Sequence, residues 1–219
     1  PYTVSYRLLD LLEKPLSECP VYSLHFAETG QEWEFMRTHG GAIDNLYRNV
    51  WHREVQIPTQ EEYLRLIERM GRGGKCALLV HCVRLERGEM QRLKESCPGL
   101  AVVLCPMSNL FMEGRLADIE GMRQAGLCIA VGTDSLSSSP SLSVLEQLKV
   151  INRYYPLVPV PELMRWATRN GAEALGFSHL GRIEVGLAPG LNAIEGDGVL
   201  QGDLSAARVV PLAGLHGLR

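Results

Sequence analysis

The 219-residue chain lacks several things whose absence narrows its chemistry. It has no CxxC pair among its six cysteines, no long apolar run, no excess of one charge, few aromatics (6%) and no methionine at its start. Without CxxC, neither a zinc knuckle nor a thioredoxin-like motif is indicated. Cys76, Cys82, Cys105 and Cys128 lie in or beside apolar segments, where free cysteine packs as a small hydrophobe. A reducing, cytoplasmic setting is the expectation. The apolar runs, such as ALLV before His81, are far too short to span a bilayer. A net charge of −3 points to neither nucleic acid nor an anionic membrane surface. The start at Pro1, with no signal-peptide pattern, is the start expected of a sequence that begins inside a longer protein. There is no internal repeat beyond the alternation described next, and no low-complexity segment.

What is present is a core-forming chain, 46% hydrophobic, sufficient for one domain with a small appendage. Its order reads as alternating strand and helix. VSYRLLDLLEK (4–14) has helical spacing with Ser5 as cap, VYSLHFAE (21–28) reads as a strand, and QEWEFMRT as a short helix. GGAIDNLYRNVWHREVQIP is too polar and aperiodic for a core element and reads as a long loop, a length often functional inside a compact domain. Thr59 and Glu62 form a capping box opening EEYLRLIERM, whose apolar face is Leu64, Ile67 and Met70. GRGGK breaks that helix, and ALLVHC is the next strand. Residues 86–96 read as helix, CPGLAVVLCP as turn and strand, and LADIEGMRQAG as helix with Gly126 as C-cap. LCIAVGTDS is the fourth strand. SVLEQLKVINRYY and VPELMRWATRNGAEALG give further helices. Four near-continuous apolar strands separated by helices predict a parallel sheet covered by helices. After about residue 180, GRIEVGLAPGLNAIEGDGVL and ARVVPLAGL change to short β segments with Gly and Pro turns.

Each of the four strands runs into polar residues: His25 and Glu28, His81, Asn109, and Asp134. Strands that end in metal-ligand or acid/base residues are how a parallel α/β barrel builds a site at its C-terminal face. His25 has the chemistry of a zinc ligand and Glu28 that of a proton carrier; equally, the pair reads as a capped strand with a surface Glu. His81 reads either as a site histidine or as a core histidine satisfied by a carbonyl. Asp134, at the end of a buried strand, needs a partner or a cation. Its alternative is a helix N-cap, but Ser138, Ser139 and Ser141 lie nearer the following helix. Ser108 and Asn109 are candidate substrate donors, or members of an Asx-type turn. Trp51 and Tyr47 accompany His39 and His52 in the long loop, which is placed to close over a substrate or to remain solvated. His179 and His216 have no supporting context.

The set PYTVS (1–5), HFAE (25–28), VHC (80–82), CPMSNLF (105–111), GTDS (132–135), ATRNGAEALG and GRIEVGLAPGLNAI (167–194) resembles the amidohydrolase superfamily. The branch is that of metal-dependent aminohydrolases, which includes cytosine, guanine, adenosylhomocysteine and aminofutalosine deaminases. The matching pieces follow the family's order over nearly the whole chain. The resemblance implies that residues 1–180 are strands 5 to 8, the C-terminal half, of a TIM-like (β/α)8 barrel. It implies that residues 181–219 are part of a composite β-sandwich. His25 and Asp134 match the family's metal ligands; zinc is the implied metal, with iron as the alternative. Glu28 matches the proton-shuttling glutamate, His81 the strand-6 histidine that polarises water or substrate, and Asp134 also the acceptor of the attacking water's proton. Asn109, Ser108, Ser135 and Trp51 are the implied substrate contacts. Met107 stands where many relatives carry Arg, and SSSP at 137–140 replaces a more usual turn.

The implied reaction is hydrolytic deamination of an amino-substituted, nucleobase-like heterocycle. Hydrolysis of an amide or a chloro-substituted ring would use the same residues. The family's strand-1 HxH pair is not in this sequence, so the implied partner is an N-terminal half of the same barrel. The segment alone is expected to bind zinc poorly and to be catalytically incompetent, since catalytic zinc sites usually have three protein ligands plus water. Beyond a small-molecule substrate, a homodimer is the assembly to test first, dimers being common among soluble oligomers.

Overall fold

The structure, a computed structural model, describes residues 1–54, 56–71 and 76–212. The glycine-bearing break at 72–75, the end of the last apolar segment and His216 therefore lie outside the described residues.

The chain opens with helix α1 (Tyr6–Glu18), capped by Ser5, whose hydroxyl accepts from Leu8 N–H. Pro15 lies inside it, so the helix runs four residues past the Lys14 limit read from the sequence. Strand β1 (Val21–Phe26) leads to α2 (Gly30–Thr38). The long loop is not irregular throughout: it contains α3 (Gly41–Asn45) and a π-helical turn over Leu46–Val50. Tyr47 and Ile57 from this stretch are buried, so the polar segment does reach the core. Thr59 and Glu62 exchange hydrogen bonds in the expected capping box before α4 (Gln60–Gly71).

Strand β2 (Cys76–His81) is followed by α5 (Arg87–Ser96), and β3 (Ala101–Leu104) by α6 (Pro106–Glu113). Helix α6 went unread in the sequence, although Pro106 at its first position is a start signal. Helix α7 (Ile119–Gln124), strand β4 (Cys128–Val131), α8 (Val144–Tyr154), α9 (Val160–Ala167) and α10 (Arg169–Ala174) follow. Strands β5 (Asn192–Glu195) and β6 (Arg208–Pro211) pair antiparallel as a separate two-stranded sheet.

Strands β1 to β4 form one parallel sheet in sequence order. Its register places Phe26 beside His81, and Leu79 beside Val102, which in turn pairs with Ile129. Alternation divides the sheet. Phe26, Ala77, Leu79, Val102, Leu104 and Ile129 are buried in one core with Tyr63, Leu64, Ile67, Met90, Leu93, Met122, Leu148 and Trp166 from the helices. Each such large side chain contributes about 1.5–3 kcal/mol on burial. The opposite face carries Ser23, His25, Leu78, Val80 and Val103, all partly or fully exposed. The helices thus cover one side and fix the carboxyl ends of the strands at one rim. Among the described residues, no helix is long and apolar enough to cross a membrane.

Candidate functional site

Glu28, His81 and Asp134 converge at the carboxyl ends of β1, β2 and β4, with one ligand atom from each lying within 4.8 Å of the others. Three strand ends separated by 53 residues each way meet in one place because the intervening helices return the chain to adjacent or next-adjacent strands. His81 Nε2 is 3.5 Å from Glu28 Oε1. His25, the candidate metal ligand on β1, lies outside this trio, but its ring stacks on that of His81 at 5.5 Å between centroids.

The backbone at these positions is unusual. Ala27, His81, Cys82 and Asp134 have φ of 52°, 72°, 51° and 58°. Left-handed conformation in non-glycine residues costs on the order of 1–3 kcal/mol each and gathers at functional sites. Alternation alone would leave His81 on the helix-covered side with Ala77 and Leu79; the chain leaves the ladder at His81. On β1, Glu32 sets the turn. Its buried carboxylate accepts from the N–H groups of Ala27 (2.8 Å) and Glu28 (2.9 Å), aiming Glu28 at His81.

Asp134 is held by three donors. Ser108 Oγ (2.6 Å) and Ser138 Oγ (2.7 Å) donate to Oδ2, and Ser135 N–H donates to Oδ1 (2.8 Å). Burial pushes its pKa up, but these donors and the charge of His81 outweigh it, leaving the carboxyl below the ordinary range. Glu28 moves the opposite way. Burial raises it most; His81 offsets part of that, and Glu32 and Asp134 add to the rise. The two neighbouring carboxyls are thus pushed in opposite directions. Cys105, beside the site, is excluded as a thiolate nucleophile: burial, then the charge of Asp134, pushes its thiol up to about 12.

The remaining sequence candidates fall differently. Ser108 and Asn109 are fully buried on the first turns of α6, Ser108 on Asp134 and Asn109 with Oδ1 2.9 Å from His81 Nδ1. Ser135 is exposed, its hydroxyl against Ser137. Trp51 is exposed and packs edge-on against Tyr47 at 5.0 Å. Glu32 and Ser138 were missed. The sequence offers Ser138 as a cap for the following helix, but the N-cap of α8 is Ser143. A cleft of about 780 Å³ beside the β2 loop, lined by Trp33, Arg84, Arg87 and Arg115, includes none of the converging residues.

An imidazole and two carboxylates in reach of one another, with a second imidazole stacked alongside, make a nitrogen–oxygen donor set suited to zinc. Fold and side chains together define an α/β protein with a hydrolase-like polar site at the carboxyl ends of a parallel sheet. The chain belongs to the amidohydrolase family, whose profile matches residues 38–212. It is 31% identical over 184 residues to an aminodeoxyfutalosine deaminase of Deinococcus radiodurans, covering 80% of this chain and 44% of the relative. A crystal structure of Helicobacter pylori aminofutalosine deaminase in complex with methylthio-coformycin superposes with a TM-score of 0.73 at 27% identity, over 92% of this chain and 50% of that one. An adenosine deaminase from Xanthomonas campestris with bound zinc gives a TM-score of 0.59 at 25% identity, over 88% of this chain and 40% of that one. The chain spans about half the length of the relatives it matches.

Proposed function

We propose that this chain supplies the proton-handling part of a metal-dependent aminohydrolase acting on an amino-substituted heterocycle of nucleoside type. The observation that carries the reading is the trio Glu28, His81 and Asp134, with the two carboxyls pushed apart in acidity. The deaminase relatives support it. Under the same reading, strands β1 to β4 are the C-terminal half of a (β/α)8 barrel, and β5 and β6 belong to a β-sandwich completed by chain outside residues 1–219.

His25 and Asp134 are the residues that would hold the metal, zinc for preference; Asp134 belongs to the converging trio, and His25 adjoins that trio through its stacking on His81. Bound there, zinc would supply water acidified to a pKa of about 7. Asp134, kept ionised by Ser108, Ser138 and Ser135, accepts a proton from the attacking water. Glu28, whose carboxyl retains its proton more readily than an ordinary glutamate, gives that proton to a ring nitrogen and takes back the added hydroxyl's proton as the carbonyl forms, while Asp134 returns the water's proton to the departing amine. His81 Nε2, facing Glu28, is assigned to stabilise the oxygen that gains charge, a part it takes when this nitrogen carries hydrogen. Water adds at carbon, the C–N bond breaks, and ammonia leaves. Ser135 and Trp51 remain the candidate substrate contacts.

The test is ammonia release by the full-length, zinc-loaded protein from a panel of aminopurine nucleosides, aminopyrimidines and aminofutalosine. Turnover of at least one is expected. Release of chloride or cleavage of an amide, with no ammonia from any amino-heterocycle, would replace deamination by the other hydrolysis.

A further inference from the structure

An asparagine in the fourth position of a helix is a poor helix former, and a buried amide is costly unless it is satisfied. Asn109 is 1% exposed and His81 is 1% exposed, and Asn109 Oδ1 lies 2.9 Å from His81 Nδ1. An amide oxygen only accepts, so a contact this short needs hydrogen on Nδ1. The two nitrogens of the ring then have unequal tasks. Nδ1 is committed to Asn109, and Nε2 is the nitrogen 3.5 Å from Glu28 Oε1.

The position of Asn109 is itself fixed. Its N–H donates to Cys105 O at 2.9 Å. One residue before Ser108, Met107 N–H donates to Oε1 of Gln147 at 3.0 Å, and Gln147 Nε2 donates to Ser139 Oγ at 3.1 Å. Gln147 is fully buried, so the first turn of α6 is tied to α8 and to the serine loop. Consecutive residues of that turn thus reach two strand ends, Ser108 the one at Asp134 and Asn109 the one at His81.

We infer that Asn109 is a positioning residue which holds the His81 ring as its Nδ1–H tautomer, with Nε2 turned toward Glu28. This deepens the proposed function and rests on its assignment of Glu28 and His81 as a proton-handling pair. It removes Asn109 from the substrate contacts and makes it the group that orients the His81 ring.

The experiment is two-bond ¹H–¹⁵N correlation NMR of the metal-free, full-length protein labelled with ¹⁵N-histidine. It is run at about pH 8.5, where histidine side chains are ordinarily neutral. His81 is assigned by loss of its signals in His81→Gln. The expected result is the Nδ1–H tautomer in the parent and in Asn109→Asp, which retains an acceptor. In Asn109→Leu the Nε2–H population should rise at least tenfold, equivalent to about 1.4 kcal/mol of tautomer preference. A parent protein in the Nε2–H form, or an Asn109→Leu spectrum unchanged from the parent, overturns the inference. If Asn109→Leu does not fold, the parent and Asn109→Asp still decide, since Nε2–H in either is a contrary result. The readout needs no turnover, so a protein that deaminates nothing but shows Nδ1–H at His81 would overturn the function and leave the tautomer assignment standing.

Discussion

Ser108 Oγ donates to Asp134 Oδ2 at 2.6 Å, joining the first turn of α6 to the end of the next strand, β4. With Ser138 at 2.7 Å on the same oxygen, the carboxylate is a structural anchor as well as the proposed base.

Replacing both serines by alanine removes two hydrogen bonds to a charged group, each worth about 1.5–3 kcal/mol. The double variant should unfold at lower urea concentration at neutral pH. Because the folded pKa of Asp134 is depressed, its stabilisation is present above the unfolded value of about 3.9 and is lost as pH falls through the folded value. The parent–variant gap should therefore narrow in acid. A gap that stays constant from neutral pH to pH ~3 would show that the serines act only by packing.

Glu28 has the opposite sign. Its folded carboxyl is raised above the unfolded value, so ionised Glu28 costs stability once the pH exceeds the unfolded value of about 4.3, and the cost grows until the folded value is passed. Glu28→Gln should melt at a higher temperature than the parent at pH ~8, with a smaller difference at pH ~4. In the full-length enzyme the same change should lower kcat by about 10²–10⁴-fold, the range of general acid–base catalysis. Full activity in Glu28→Gln would remove it from the mechanism.

Glu32 is predicted to matter as much to structure as to rate. Glu32→Ala leaves the N–H groups of Ala27 and Glu28 without their acceptors. An unsatisfied buried group costs about 1–3 kcal/mol, and the turn that aims Glu28 loses its brace. Both a lower Tm and a lower kcat are expected. A variant with parent Tm and parent kcat would show that the turn holds itself.

For metal, the 219-residue chain purified alone should carry well under one zinc by elemental analysis. His25 and Asp134 are its assigned ligands, and a catalytic zinc usually needs three. One tightly held zinc per chain, lost on His25→Ala, would show that these residues with His81 or Glu28 suffice.

Much of the layout was open to reading along the chain. Apolar runs of four to six residues ending in polar residues report a parallel strand and the rim it reaches, because the apolar run and the polarity at its end are local properties. The caps of α1 and α4 were legible for the same reason: Ser5, and Thr59 with Glu62, act over three residues. Helix α6 and the ordered turns at 41–50 were not, because neither shows a clear apolar period; their packing on the rest of the molecule decides them.

The sequence by itself determined which residue types stand at the four strand ends, and the family whose pattern they follow. Tertiary structure alone decided what each does. Ser108 meets Asp134 and Asn109 meets His81, both hydrogen bonds set by how strands and helices are placed in space. A strand's apolar pattern depends on neighbours two residues away. A hydrogen bond depends on a few tenths of an ångström between atoms that lie 26 or 28 residues apart, which only the packed sheet and its helices fix.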